Sequence, residues 1–197
     1  MASFLVTGGA GFIGSNLVAA LVARGDDVRV LDDFSTGFRE NLAAVASRID
    51  IVEGDLVSPE DCARAAQDMD YILHQGALPS VARSVADPLL SHTINATGTL
   101  NVLNAAQKAG VKRLVYASSS SVYGDQAVEY KHEGLPMNPQ SPYAAAKASG
   151  EHYLRAFSNC FGLETVALRY FNVFGPQQDP NSAYSAVIPL FVNAMLD

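Results

Sequence analysis

At 197 residues, with 49% hydrophobic and 17% charged positions, the chain is long enough to bury one sizeable core and has the composition of a globular domain. Its formal net charge of −7 argues against a general nucleic-acid or anionic-membrane partner, although a helix N-terminus can still hold a local anion. No membrane span and no signal peptide is expected, and Cys62 and Cys160, which lack metal-ligand spacing, read as buried reduced thiols of a cytoplasmic protein.

Strand and helix patterns alternate along the chain. Ser3–Thr7 reads as a short buried strand, followed by a helix from about Gly11 to Arg24 that ends at Gly25. Val28–Asp32 and Ile49–Glu53 are further strands, and residues 59–67 read as a helix with Pro59 in its first turn. Asp70–His74 is the next strand, and Pro88–Ala109 a long helix stopped by Gly110. Val111–Ala117 is a strand, Pro142–Phe161 a helix, Glu164–Arg169 a strand and Ala186–Leu196 a helix. Strands separated by helices imply right-handed crossovers, hence an α/β fold with a doubly wound parallel sheet. The final helix stops at Asp197 without a clear cap, which raises the expectation of a fragment.

Gly8, Gly11 and Gly14 follow a strand and open a helix. Bare of side chains, they allow a tight turn and let the backbone approach a pyrophosphate at the helix N-terminus. A purely structural glycine turn is the plain alternative. Asp32 closes the second strand 18 residues after Gly14, where a carboxylate accepts both ribose hydroxyl protons and repels a 2′-phosphate. Asp33 follows it and no arginine does, so the site favours NAD over NADP. Asp55 stands where an adenine amino group can be met, and equally where a turn or N-cap aspartate belongs.

Tyr143 and Lys147 lie four apart on one helix face. A free tyrosine titrates near pH 10, so making it a base at neutrality takes about 4 kcal/mol of preference for the phenolate. A nearby ammonium and the positive ring of an oxidised nicotinamide can supply that. The Ser118–Ser121 run follows a strand and so faces the same crevice; one of its hydroxyls can bond the reacting oxygen, while the others read as a solvated loop. His74, His92 and His152 have no partner at ligand spacing and read as structural, so no metal site is expected. Neither a serine-hydrolase elbow nor a phosphate-loop lysine motif is present.

These residues resemble the extended short-chain dehydrogenase/reductases, and within them the nucleotide-sugar 4-epimerases. Thr7–Gly14, with Phe12 and Ile13, resembles the glycine motif of that family, and Asp32–Gly37, including Asp33, Ser35, Thr36 and Gly37, its ribose-binding loop. Asp55 and Leu56 resemble the adenine contact, His74, Gln75, Gly76 and Ala77 the segment lining the cofactor after the fourth strand, and Asn95 the family's buried asparagine. Counting back from Val122-Tyr123-Gly124, Ser119 falls on the catalytic hydroxyl, with Ser120 as fallback. Tyr170 and Val173 resemble the nicotinamide segment, and Asn172 the contact to substrate phosphate.

The resemblance implies a Rossmann domain over 1–175 and the start of a truncated substrate region over 176–197. It also implies NAD as cofactor, a UDP-sugar substrate touched by Pro79, Ser80, Ser119, Ser120, Tyr143 and Asn172, and a homodimer through helices 88–109 and 142–161. Sugar dehydratases and decarboxylases of the family carry an acid just after the catalytic hydroxyl, where this chain has Ser120 and Ser121. The segment Leu78–Val85 looks closer to UDP-N-acetylhexosamine 4-epimerases than to UDP-glucose enzymes. The expected chemistry is inversion at C4 through a 4-keto sugar. The alternatives are another nucleotide-sugar oxidoreductase or dehydratase, and a non-catalytic NAD-binding fragment.

Overall fold

The strands in order are β1 (Ser3–Thr7), β2 (Asp27–Asp32), β3 (Ile49–Glu53), β4 (Tyr71–His74), β5 (Arg113–Ser119) and β6 (Glu164–Tyr170). Between them run α1 (Phe12–Arg24), α2 (Pro59–Ala66), α3 (Val81–Ala86), α4 (Pro88–His92), α5 (Gly98–Lys108) and α6 (Pro142–Phe161). The computed structural model describes residues 1–178, 191, 194 and 195, so the helix expected over 186–196 lies outside the described residues apart from three positions.

All neighbouring strands pair in parallel, in the order β3-β2-β1-β4-β5-β6. The order reverses between β1 and β4, which opens a crevice at the carboxyl ends of the strands. Alternation along each strand divides its side chains between two cores. Leu5 joins Leu31, Ile72, Leu114 and Tyr116 with Ala65 of α2, Val102 of α5 and Leu154 of α6. Val6 faces the other way and meets Val30, Val18 of α1 and Leu42 of a 3₁₀ segment at Arg39–Arg48. Helices therefore cover both faces of the sheet.

Local chemistry sets the helix ends. Ser141 accepts the Ala144 N–H at the start of α6, with Pro142 in the first turn where its missing N–H costs nothing. Gly25 and Gly162 close α1 and α6 with φ of +89° and +73°, a region open to glycine at no steric cost. Among the described residues no helix is long and apolar enough to cross a membrane.

Three expectations change. The single helix expected over 88–109 contains a π-helical turn at Thr93–Thr97 between α4 and α5. β5 runs two residues beyond Ala117, because Ser118 and Ser119 pair with Arg169 and Tyr170 of β6. Cys62 is buried, its thiol pushed up to about 12 by burial, but Cys160 is exposed near the end of α6.

Candidate active site

Every strand that the sequence linked to a site residue delivers it at the same edge of the sheet. Gly8, Gly11, Phe12, Ile13 and Gly14 follow β1, and Asp32 ends β2 with Asp33, Ser35, Thr36 and Gly37 after it. Asp55 and Leu56 follow β3, and Gln75, Gly76, Ala77, Pro79 and Ser80 follow β4. Ser119 ends β5 with Ser120 beyond it, Tyr170 ends β6, and Asn172 and Val173 come next. Among the described residues no group of three or more His, Cys, Asp or Glu side chains is placed to hold a metal ion.

The glycines are needed for space. A Cβ on Gly8, whose φ is +65°, would stand 2.6 Å from Gly76 Cα, and one on Gly14 would stand 2.0 Å from the Gly8 carbonyl oxygen. The turn and the segment after β4 thus pass each other backbone to backbone. Gly11 takes the N-cap of α1 with no capping side chain and no acid in the first turn, so that helix terminus keeps donors and positive field for an anion.

Asp32 anchors the turn to the next loop. Its two carboxylate oxygens accept the N–H groups of Ala10 and Phe34, each at 2.9 Å. Burial raises its pKa, opposed by those two bonds. The Ala10 carbonyl accepts from Phe38 N–H and from Asn41 Nδ2, which folds 33–38 against the glycine turn. Asp33 accepts both the N–H and the hydroxyl of Ser35, so it shapes this loop. The structure also brings in Arg39, seven positions beyond Asp32: its guanidinium packs 3.8 Å above the Phe34 ring, pairs with Glu53 and lowers the Asp32 pKa slightly.

Asp55 accepts the Val57 N–H in a side-chain turn, while Ser58 is the true N-cap of α2. Leu56 packs between Gly76 and Gly98 and is held by Asn101 on its carbonyl. Gln75 donates its N–H to the Thr7 carbonyl, and its side-chain oxygen is buried with no partner among the described residues. Asn95, 1% exposed, clasps Leu78 by accepting its N–H at 2.8 Å and donating to its carbonyl at 3.0 Å. Ser80 holds the N-cap of α3 with a φ of +103°, a strained conformation for a residue with a side chain.

Ser119, Tyr143 and Lys147 come together across β5 and α6. Lys147 is buried to 2% exposure, and burial alone draws its pKa down to about 7. Its ammonium donates to the Ala117 carbonyl at 2.9 Å and stands 5.9 Å from the centre of the Tyr143 ring. Burial raises the Tyr143 pKa, and a hydrogen bond from Ser119 opposes it. The Ser119 oxygen already accepts from the N–H and the hydroxyl of Ser121, which leaves its own hydrogen as the one to donate. Ser120 has no corresponding effect on the Tyr143 phenol. Inside the protein, then, burial outweighs the pull of Ser119 on the phenol.

Two further groups join the site, Ser118 and the Glu151–Arg169 pair. Ser118, expected in a solvated loop, is buried and donates to Glu151. Glu151 pairs bidentately with Arg169, one position before Tyr170, and Arg169 lies over the Tyr123 ring. Glu151 stands four residues after Lys147 and eight after Tyr143, so helical spacing was the available signal. Ser118 carried none, because its partner comes from another element.

Comparison with known proteins gives this geometry a family. A profile of the NAD dependent epimerase/dehydratase family matches residues 4–197. The UDP-glucose 4-epimerase of Mycolicibacterium smegmatis is 42% identical over 98% of this chain and 62% of its own length. The solved UDP-N-acetylglucosamine 4-epimerase from Methanobrevibacter ruminantium, in complex with UDP-N-acetylmuramic acid, superposes with a TM-score of 0.93 at 43% identity, covering 99% of this chain and 63% of that one. The UDP-glucose 4-epimerase of Thermus thermophilus, solved with NAD, has a TM-score of 0.86 at 45% identity over 92% of this chain and 58% of its own. The chain therefore spans about three fifths of these relatives, and it belongs to the NAD dependent epimerase/dehydratase family.

Proposed function

We propose that the chain carries the cofactor site and catalytic groups of an NAD-dependent UDP-sugar 4-epimerase, acting on UDP-glucose and UDP-galactose or on their N-acetyl forms. The observation that carries this is the meeting of Ser119, Tyr143 and the buried Lys147 at the strand edge that also holds Asp32 and the glycine turn. The absence of an acid at positions 120 and 121 favours epimerisation over the dehydratase chemistry that the family also includes.

A dinucleotide suits the residues present. Gly8, Gly14 and Gly76 keep the backbone bare where a Cβ would collide, and among the described residues the N-terminus of α1 is uncapped and the Gln75 side-chain oxygen is buried and unpaired. Gly8, Gly11, Phe12, Ile13 and Gly14 would hold the pyrophosphate, and Asp32 the adenosine ribose, within the loop of Asp33, Ser35, Thr36 and Gly37. Asp55 and Leu56 would meet the adenine. Gln75, Gly76, Ala77, Tyr170 and Val173 would line the nicotinamide half, with Asn95 supporting it and Lys147 on its ribose. Bound there, NAD would supply a reversible hydride acceptor for the sugar C4 and a positive charge beside the phenol.

The protein's own part is proton handling. Tyr143 as phenolate takes the 4-hydroxyl proton while C4 becomes a ketone, and gives it back after the sugar has turned. Ser119 donates to the oxygen that carries the charge, and Lys147 favours the phenolate when protonated. Each charge stabilises the other, so Tyr143 and Lys147 titrate as a pair. Pro79, Ser80, Ser120 and Asn172 would contact the sugar nucleotide. The division into a cofactor domain over 1–175 and the start of a substrate region over 176–197, the homodimer and the cytoplasmic location belong to the same reading.

Incubation with UDP-glucose and UDP-N-acetylglucosamine, with C4 epimers resolved by NMR, tests it. Tyr143→Phe should still bind NAD in calorimetry and lose epimerisation; unchanged turnover would remove Tyr143 from the mechanism. One observation favours a second reading, a cofactor-binding unit without turnover: the chain spans only 62% of the M. smegmatis relative. NAD binding with no conversion of either sugar would select it.

A further inference from the structure

The sequence presented His74 as a structural residue, and the structure gives it a definite hydrogen-bond direction. The ring is 1% exposed at the carboxyl end of β4. Nδ1 lies 2.7 Å from the Thr7 hydroxyl and Nε2 lies 3.0 Å from the Thr99 hydroxyl. Thr99 Oγ1 is closer to the Asn95 carbonyl, at 2.7 Å, than to Nε2, at 3.0 Å; with its hydrogen on that carbonyl it accepts from Nε2, which then carries the ring hydrogen. In a neutral ring Nδ1 is then bare and accepts from Thr7, while the Thr7 oxygen accepts the Gly76 N–H at 3.1 Å.

The bonds form one directed chain: Gly76 N–H to Thr7, Thr7 to His74, His74 to Thr99, Thr99 to the Asn95 carbonyl. Protonating Nδ1 would leave the Thr7 hydroxyl hydrogen without an acceptor. The surroundings keep the ring neutral: burial first, and the Lys147 charge second, lower its pKa to about 3. Tyr116 stacks on the ring with centroids 5.5 Å apart, and the Lys147 ammonium lies 4.8 Å from the Tyr116 centroid.

The ends of this chain grip both ends of one short segment. Thr7, the last residue before the glycine turn, holds Gly76, and Asn95 clasps Leu78. His74 joins the two grips. We propose that His74 is a positioning residue whose Nε2–H tautomer sets the spacing between the Gly8–Gly14 turn and the Gln75–Leu78 segment, and so sets dinucleotide affinity without touching the ligand. The inference rests on reading those two segments as walls of the NAD site.

Two measurements on the full chain test it. Long-range ¹H–¹⁵N correlation at neutral pH, which needs no cofactor, should show His74 as the neutral Nε2–H form; an Nδ1–H form or a charged ring overturns the proposal. Calorimetry with NAD should then show Kd about tenfold higher for Thr99→Val, the effect of one lost hydrogen bond, and restored in Thr99→Ser. His74→Phe should weaken binding similarly, and adding it to Thr99→Val should cost little more, because both break the same chain. A folded Thr99→Val protein that binds NAD as tightly as wild type overturns the positioning role alone. Failure of the wild-type protein to bind NAD overturns the cofactor reading and this inference with it, whatever the tautomer.

Discussion

The Lys147 ammonium donates to the Ala117 carbonyl over 2.9 Å, so the helix that carries Tyr143 is tied directly to the strand end that carries Ser119. The bond also explains how a lysine comes to be 2% exposed: the carbonyl and the Tyr116 ring face replace part of its hydration.

That burial has a pH signature. The folded pKa is about 7 and the ordinary one 10.5, so between them the unfolded chain binds more protons and stability rises with pH. Below about pH 7 both states are charged and the full cost of burial is present. Lys147→Met should therefore gain stability relative to wild type most fully below about pH 7, with the gain shrinking as pH rises towards 10. Urea denaturation of both proteins across this range measures the difference. A gain that does not change with pH would mean that Lys147 keeps its proton in the fold.

Gly150 is set by its neighbour across the core. A Cβ there would stand 2.6 Å from the Tyr116 hydroxyl oxygen and 2.8 Å from the ring carbon that bears it. Gly150→Ala should destabilise the fold by about 1–3 kcal/mol, despite a helix-propensity gain of about 1 kcal/mol. Tyr116→Phe removes the oxygen but not the ring carbon, so it should relieve only part of the loss. A double-mutant cycle by chemical denaturation reads the coupling, and strict additivity would place the clash elsewhere.

Asp32 shapes a loop and faces the proposed ribose at once, and its substitution separates nucleotides. Asp32→Ser should weaken NAD binding by at least about tenfold through loss of charged acceptors, and should improve the NADP-to-NAD affinity ratio by removing a repelling charge. Arg39, stacked on Phe34 and paired with Glu53, lowers the Asp32 pKa and so lies within electrostatic reach of the same position. Calorimetry with both nucleotides decides it; an unchanged ratio would show that Asp32 does not face the ribose.

Much of this was legible because the signals are local. Glycine turns, strand-closing acids and the Ser141–Pro142 start of α6 are written within a few residues, and α6 spans 142–161 as its pattern implies. Ser118 departs from the loop that its polarity suggests, because pairing with β6 and the Glu151 carboxylate make a buried strand position satisfiable. The π-helical turn at Thr93–Thr97 has no local signal, and Asn95 within it takes its partner Leu78 from 17 residues away. His74 showed no pattern for the same reason: its meaning resides in Thr7 and Thr99, which only the fold assembles.

The proposed homodimer through helices 88–109 and 142–161 would need an apolar surface there, and the fold leaves one exposed. Leu89 is 79% exposed on α4, beside exposed Val85 of α3 and Leu90, and α4 packs on α6, whose Tyr153 is also exposed. Single exposed apolar residues need no explanation, but Val85 of α3, Leu89 and Leu90 of α4 and Tyr153 of α6, on three helices that pack together, form the kind of patch that marks an interface. Leu89→Asp would put a charge at its centre. Because Leu89 contributes little to the core, the variant should keep its circular dichroism and melting behaviour while shifting from dimer to monomer in light scattering. A wild-type protein that is already monomeric, or an aspartate variant that still dimerises, would remove this face from the assembly.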